Sequence, residues 1–313
     1  MRASITETVL PIPVAGRQKV WGAALMLTSA LFFAVLGLFI KILGPGYRVW
    51  DIAFYRFVGG VIILVVLFGR SANLFRPYNP KLMLIRGVLG SLAFLSVVIA
   101  IRRIPLSTAM VLFYSFPAFA SLFSPLLFKE RITVAEICCT LAALGGVAII
   151  LDFKLEGILP GQIMAVVAAI LAGLTISIIK KLRENHGSVI IYFYFCLIGA
   201  CISLGPFLTA PRMPRGGSEW LIIGGILFTS ISGQLLMTHG FRYCKSWEGG
   251  LFMTSEVIFI AIIGIMFLNE TVGGRFYIGS LLIIFSAISI NLINRRTYHV
   301  QQRQLKHSHN AEK

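Results

Sequence analysis

Glu256 is the residue of this sequence whose surroundings most clearly suggest chemistry. It lies near the middle of the apolar stretch 247–268, in the run "TSEVIFIAIIGIMF". An acidic side chain at the centre of a membrane-crossing helix costs about 2.5–3.5 kcal/mol on insertion scales, so it should face a cavity or a partner. Glu256 could therefore carry a proton or bind a positive group of a solute. A protonated glutamate that hydrogen-bonds between helices is the structural alternative.

Polar and aromatic residues in neighbouring stretches could complete a solute site around this acid. Hydroxyl and amide groups are supplied by Tyr114, Ser115, Ser255 and Gln234. Pro117 removes a backbone N–H within its stretch, and the freed carbonyl can point toward a cavity. We expect the polar groups to hydrogen-bond a solute, and the apolar walls to come from Phe94, Phe113 and Phe116.

Two arginines also lie within apolar stretches. Arg56 follows Asp51 by five residues, so it could pair with that carboxylate or extend its side chain to the membrane interface. A role in binding an anion near the outer gate is the alternative. Arg86 lies four residues into the stretch 83–101, where we expect its long side chain to reach the interface.

The composition is that of a membrane protein. The 313 residues are 57% apolar and 13% charged, with a mean hydropathy of +0.87, whereas soluble domains carry about 25% charged residues. The formal net charge of +16 fits basic cytoplasmic loops, and no basic motif suggests a nucleic acid partner. The cysteines and histidines lack metal-site spacing and there is no P-loop, so we expect no metal, no cofactor and no use of ATP.

The chain contains ten apolar stretches of the length that a membrane-spanning helix needs, about 20 residues. They are 20–42, 51–69, 83–101, 106–128, 133–151, 160–180, 188–208, 219–241, 247–268 and 274–294. The connections are too short for a soluble domain. The predicted fold class is therefore all-α, a polytopic membrane protein with ten transmembrane helices between a polar N-terminal segment, 1–19, and a polar tail, 295–313.

The second half of the sequence repeats the first. At an offset of 140 residues, "LFKERIT" (127–133) falls on "FLNETVG" (267–273), and Glu130 falls on Glu270. The repeat unit thus has five helices, in residues 20–151 and 152–294. Because five is odd, the second copy must cross the membrane in the opposite sense, as in inverted-repeat transporters.

Basic residues set the orientation of the predicted helices. Lysines and arginines are more frequent in the segments that lie on the same side as the termini, which places both termini in the cytoplasm. Glu130 and Glu270 then stand in turns on opposite membrane faces. We expect each to accept hydrogen bonds from free amides at the start of the following helix, where negative charge is favourable.

Several motifs resemble the drug/metabolite transporter superfamily, in particular its EamA-type members. They are "LFYSFPAFASLFSPLLFKERIT" (112–133), "SEVIFIAIIGIMFLNETV" (255–272) and "YRF" (55–57), and the resemblance covers about residues 20–294. Val257, Phe33 and Ala172 depart from residues common in that family. The resemblance implies a carrier of small organic metabolites with a central cavity, working in a proton-coupled or a facilitative mode.

The predicted function is therefore secondary transport of a polar or amphipathic, for example amino-acid-like, solute across the bacterial inner membrane. The partners would be this solute, the lipid bilayer and, in a coupled mode, protons; the oligomeric state is left open. A sensor or scaffold without transport and an intramembrane lipid-handling enzyme are the alternatives. The enzyme would need a second intramembrane acid or a histidine cluster, and the sequence has neither.

Overall fold

The computed structural model describes residues 16–69, 74, 77–116, 118–120, 123, 134–150, 159–182, 185–240, 243, 252–253, 255–270, 273–286, 288–289 and 292. Within these ranges the regular structure is helical and includes no β-strand. The helices are numbered in chain order as α1 Gly16–Ile42, α2 Val49–Phe68, α3 Pro80–Arg103, α4 Leu106–Phe113, α5 Val134–Ile150, α6 Leu159–Leu182, α7 Ser188–Thr209, α8 Gly217–Gly240, α9 Ser255–Leu268 and α10 Gly274–Ser286.

Six of these helices are long and apolar enough to cross a membrane: α1, α2, α3, α6, α7 and α8. The apolar parts of α4, α5, α9 and α10 are shorter. The fourth predicted span is interrupted, because α4 ends at Phe113 and a turn at Tyr114 and Ser115 precedes the next helical residue, Phe116. A proline at position 117 has no N–H for the carbonyl four residues earlier, that of Phe113, which accounts for the end of α4 at this residue.

Helices of the first half pack mainly on helices of the second half. α1 lies against α8, α2 against α7, and α3 against α6 and α7. α1 also contacts α9, and α4 contacts α6 and α9. Close approach is built into the sequence at Gly199 of α7, where a Cβ would lie 2.6 Å from a ring carbon of Phe57 on α2. The two halves therefore form one interlocked bundle.

The buried side chains form two main apolar clusters. The first collects residues of α1, α3, α4 and α9, including Ile40, Ile101, Leu106 and Ile260. The second collects residues of α2 and α7, including Phe57, Tyr192 and Phe193. Phe94 of α3 packs against both clusters, so the two clusters adjoin there.

Lys41 stabilises the end of α3 from the neighbouring helix α1. Its Nζ atom donates hydrogen bonds to the carbonyl oxygens of Ile101 (2.7 Å) and Ile104 (2.6 Å). The last carbonyls of a helix lack partners within the helix and carry partial negative charge. An ammonium group is therefore well suited to this position.

Glu270 stabilises the start of α4, which corrects the expectation that it serves the following helix, α10. Its carboxylate accepts hydrogen bonds from the backbone N–H of Leu106, from the N–H of Ser107 (3.0 Å) and from the Ser107 hydroxyl (2.6 Å). Asn269 has a left-handed backbone (φ +50°), and the Glu270 N–H bonds back to the Gly264 carbonyl (3.1 Å). This reversal directs the carboxylate away from α10 and toward α4. Glu130, the expected counterpart, lies outside the described residues.

Candidate functional site

Tyr114 and Glu256 come together at the centre of the first apolar cluster. The Tyr114 hydroxyl donates a hydrogen bond to the Glu256 carboxylate, and only 3% of Tyr114 and 4% of Glu256 is exposed. The turn after α4 presents Tyr114, and the first turn of α9 presents Glu256. The pair thus joins helices of the two halves, and the acid is held by a single described side-chain donor.

Two of the three aromatic residues predicted as walls lie against the ring of Tyr114. The Phe113 ring lies 5.7 Å from that of Tyr114 in an edge-on arrangement, and the Phe116 ring lies 5.6 Å from it. Phe94 lies elsewhere, against Arg56, as described below. Phe113 and Phe116, the residues on either side of the break in α4, thus pack on Tyr114.

Two of the residues predicted to hydrogen-bond a solute already donate their hydroxyl protons within the protein. The Ser115 hydroxyl donates to the Leu112 carbonyl (2.7 Å), and the Ser255 hydroxyl donates to the Phe252 carbonyl (2.6 Å). Each hydroxyl is thus engaged by its own segment of chain. Gln234 is half-buried on α8, next to Gly233, whose carbonyl accepts a bond from Ser29 of α1 (2.7 Å). Pro117 lies outside the described residues.

One interpretation of the sequence proposed that Asp51 pairs with Arg56, and the structure shows that it does not. It forms an ion pair with Arg48 (3.0 Å) and accepts the Arg48 backbone N–H (2.8 Å), which caps the start of α2. Arg48 also donates to the Phe207 carbonyl at the end of α7 (3.2 Å). Asp51 therefore has a structural role at the end of the bundle.

Arg56 instead turns into the bundle. Its Nε donates to the hydroxyl of Ser230 on α8 (2.6 Å), which in turn lies 3.3 Å from the Tyr192 hydroxyl of α7. The guanidinium carbon lies 3.9 Å from the centre of the Phe94 ring, a cation–π contact. Arg56 is 4% exposed, so its charge is held inside the protein.

Arg86 is buried as well, which overturns the expectation that it reaches the interface. Its guanidinium lies over the Phe195 ring, 4.3 Å from the ring centre, and 4% of the residue is exposed. A Cβ on Gly90, one turn further along α3, would collide with Nη1 of Arg86. The side chain therefore runs away from the near end of α3 and toward the middle of the bundle, where the glycine leaves room for it.

The sequence did not predict the contacts of these arginines with Tyr192, Ser230 and Phe195. The available signal was the depth of both arginines, which start about 9 Å (Arg86) and about 10.5 Å (Arg56) inside their helices at a rise of 1.5 Å per residue. Besides Asp51, which is paired with Arg48, the described part of the bundle thus buries one acid, Glu256, and these two cations. Among the described residues no cluster of metal-ligating side chains occurs.

Known proteins resemble this chain over most of its length. The sequence model of the EamA-like transporter family matches residues 20–152 and again residues 159–292. A solved crystal structure that is 19% identical in sequence has the same fold, with a TM-score of 0.64 over 89% of this chain and 99% of the other.

Curated relatives are named as transporters. The chain is 24% identical over 271 residues to the pseudopaline exporter CntI of Pseudomonas aeruginosa, covering 86% of this chain and 95% of the exporter. It is 26% identical over 269 residues to human solute carrier family 35 member G1, covering 79% and 74%. It is 24% identical over 241 residues to the S-adenosylmethionine uptake transporter of Rickettsia bellii, covering 74% and 79%.

Proposed function

The chain belongs to the EamA-like transporter family, and on that premise we propose that it is a secondary carrier of a small organic metabolite that works by alternating access. Family membership confirms the resemblance indicated by the sequence motifs and makes the protein a multi-pass membrane transporter rather than an enzyme. The direction of transport differs among the relatives, which include an exporter and an uptake transporter, so both directions need to be measured.

The proposed architecture is ten transmembrane helices in two inverted repeats, 20–151 and 152–294. Helix packing supports it: if α1–α5 correspond to α6–α10, the contact of α1 with α8 corresponds to that of α6 with α3. Likewise, α1 with α9 corresponds to α6 with α4, and α2 with α7 corresponds to itself. The two successive matches of one family model agree with this proposal. A two-fold relation of this kind allows the two halves to exchange roles between inward-open and outward-open states.

The proposed orientation has both termini in the cytoplasm of a bacterial inner membrane. It places Gly187, before α7, inside and Gly216, before α8, outside; both are exposed. In a variant without native cysteines, a membrane-impermeant maleimide should label Gly216→Cys in intact cells and Gly187→Cys only after permeabilisation. The reverse pattern would place the termini outside.

The buried Tyr114–Glu256 contact is the observation that supports a solute site between the halves. A buried carboxyl with one described side-chain donor keeps acceptor capacity for a substrate ammonium group or for a proton. Placing an ionisable side chain at this depth in a membrane costs free energy, and such residues commonly mark the pathway of a substrate or a proton. We propose that Glu256 engages the positive group of the substrate or a coupling proton, with Tyr114 fixing its position. Ser115, Ser255 and Gln234 remain proposed contributors of hydrogen bonds, with Phe113 and Phe116 as the apolar wall.

The function is tested by ligand-dependent thermal unfolding of the purified full-length protein. A panel of amines, amino acids, nucleosides and organic acids is screened against the native protein, Glu256→Gln and, as a matched control, Glu219→Gln. A ligand at 100 times its dissociation constant stabilises the folded state by about 2.7 kcal/mol. We expect a ligand that stabilises the native protein and Glu219→Gln but not Glu256→Gln, and that is transported into or out of proteoliposomes.

Two other outcomes would change this proposal. If a ligand is transported equally well by Glu256→Gln and the native protein, the carrier stands but Glu256 has a structural role. If no member of the panel binds or is transported in either direction, the protein is better described as a sensor or scaffold.

A further inference from the structure

We propose that Arg56 and Arg86 form a binding site for an oxyanion group of the transported solute, a carboxylate or a phosphate. This inference rests on the proposed carrier function and adds a chemical class to its substrate. It assigns to the solute a negative group that is held in the second apolar cluster, apart from the positive group or proton held by Glu256.

The two guanidinium groups lie on the same aromatic residue. The Arg56 carbon lies 5.3 Å and the Arg86 carbon 4.3 Å from the centre of the Phe195 ring of α7. The arginines themselves come from α2 and α3, so three helices converge on this point. Both guanidinium carbons thus lie within 5.3 Å of one ring centre, and an anion bound by both groups would offset the repulsion between their like charges.

No described carboxylate balances this charge. The nearest acid along α2, Asp51, is paired with Arg48, and Glu256 is bonded to Tyr114. Glu270 is engaged at the start of α4, and Glu219 bonds Tyr47. A guanidinium does not release its proton in proteins. The two arginines therefore cannot remove their charge as a buried glutamate can.

The aromatic contacts stabilise the charge of each guanidinium but provide no hydrogen-bond acceptor for its N–H groups. A ring interacts with the flat face of the cation, whereas the N–H donors point outward in its plane. Within the part of the chain that the structure describes, Nη1 of Arg56 and both Nε and Nη1 of Arg86 have no hydrogen-bond partner. Buried donors of this kind are rare because each loses its hydration without compensation.

These free donors can each bind one oxygen of an oxyanion. Nη1 of Arg56 and Nε or Nη1 of Arg86 would donate charge-assisted hydrogen bonds to a carboxylate or phosphate, and such bonds are stronger than neutral ones. Gly90 contributes by leaving room for the Arg86 guanidinium. The hydroxyl of Ser230 holds Arg56 through its Nε and leaves Nη1 for the ligand.

The test compares small anions as probes in thermal unfolding of the full-length protein in detergent. Sodium acetate and sodium phosphate are each compared with sodium chloride at equal ionic strength, for the native protein, Arg56→Gln, Arg86→Gln and the control Arg215→Gln, which alters an exposed arginine outside the helices. Phosphate also raises melting temperatures non-specifically by exclusion from the protein surface. This part is present in every variant, so only the difference in increment between Arg215→Gln and the two site variants reports binding.

We expect acetate or phosphate to raise the melting temperature of the native protein and the control above the chloride value, and this increment to be lost in Arg56→Gln and Arg86→Gln. The stronger anion identifies carboxylate or phosphate as the preferred group. Arg56→Lys and Arg86→Lys keep the charge without the planar fork and should retain a reduced increment; they replace any glutamine variant that fails to fold. Equal increments in all variants would overturn the proposal.

The same assay separates this inference from the carrier function. If the metabolite panel yields transported ligands without an anionic group, whose binding is unchanged in Arg56→Gln and Arg86→Gln, the carrier stands and the oxyanion site is wrong. If the anion increments depend on both arginines but no metabolite is transported, the oxyanion site stands and the carrier function is wrong.

Discussion

Lys41 and Glu270 close the same corner of the bundle from opposite halves of the chain. Lys41 binds the carbonyls that end α3, and Glu270 binds the amides that begin α4 only two residues later. The connection between the two helices is thus held at both helix ends by charges suited to each. The Glu270 hydrogen bonds join the two halves, whereas Lys41 and α3 both belong to the first half. Relative movement of the halves at this point would therefore break the Glu270 set, which makes it a determinant of stability.

Replacing Glu270 by alanine should destabilise the protein. The change removes the acceptor of the Leu106 and Ser107 amides, and loss of a helix cap costs about 0.5–2 kcal/mol. The measurement is the thermal unfolding of Glu270→Ala beside Gly274→Ala, a control at the start of α10 where a Cβ meets open space. Equal melting temperatures for the two variants would contradict the capping role.

Tyr114 and Glu256 should be energetically coupled. We expect the double variant Tyr114→Phe/Glu256→Gln to lose less stability than the sum of the single changes, with an interaction energy of about 0.5–3 kcal/mol, as for residues in direct contact. The free energies of unfolding in detergent give the double-mutant cycle. Tyr192→Phe, in the second apolar cluster, serves as the comparison and should combine additively with Glu256→Gln.

Gly199→Ala should disturb the contact between α2 and α7. The new methyl group would lie 2.6 Å from a ring carbon of Phe57, and overpacking of this kind costs about 1–3 kcal/mol. Gly224→Ala, in the interior of α8 and facing open space, is the control and should be neutral or slightly stabilising. Adding Phe57→Leu should restore part of the loss in melting temperature, and no restoration would argue against this contact as the cause.

Tyr47 should make stability depend on pH in the alkaline range. Burial and the hydrogen bond to Glu219 (2.6 Å) raise the pKa of Tyr47 to about 12, above its ordinary value near 10. The folded state thus favours the neutral phenol, and this contribution is complete below pH 10 and is lost as the pH rises toward 12. Melting temperatures of the native protein should fall more steeply over this range than those of Tyr47→Phe. Tyr78→Phe, an exposed tyrosine, should follow the native curve.

Much of the fold follows from local properties of the sequence. Apolar stretches of about 20 residues have to form helices in a membrane because their backbone groups find no other partners, and α1, α2 and α3 lie close to the predicted ranges. The interruption after Phe113 follows from the proline at position 117, within the predicted span 106–128. The depth of Glu256 marked it as a candidate site residue on the same grounds.

The pairing of distant residues could not be predicted in this way. Sequence spacing placed Glu270 beside α10 and Arg56 beside Asp51, whereas the reversal at Asn269 and the packing of α2 on α7 and α8 direct them to Ser107 and Ser230. The depth of a residue along its helix depends only on its position within one apolar stretch, so the sequence determines it. The direction of a long side chain is decided by which neighbour leaves room for it, as Gly90 does for Arg86, and only the tertiary structure fixes that neighbour.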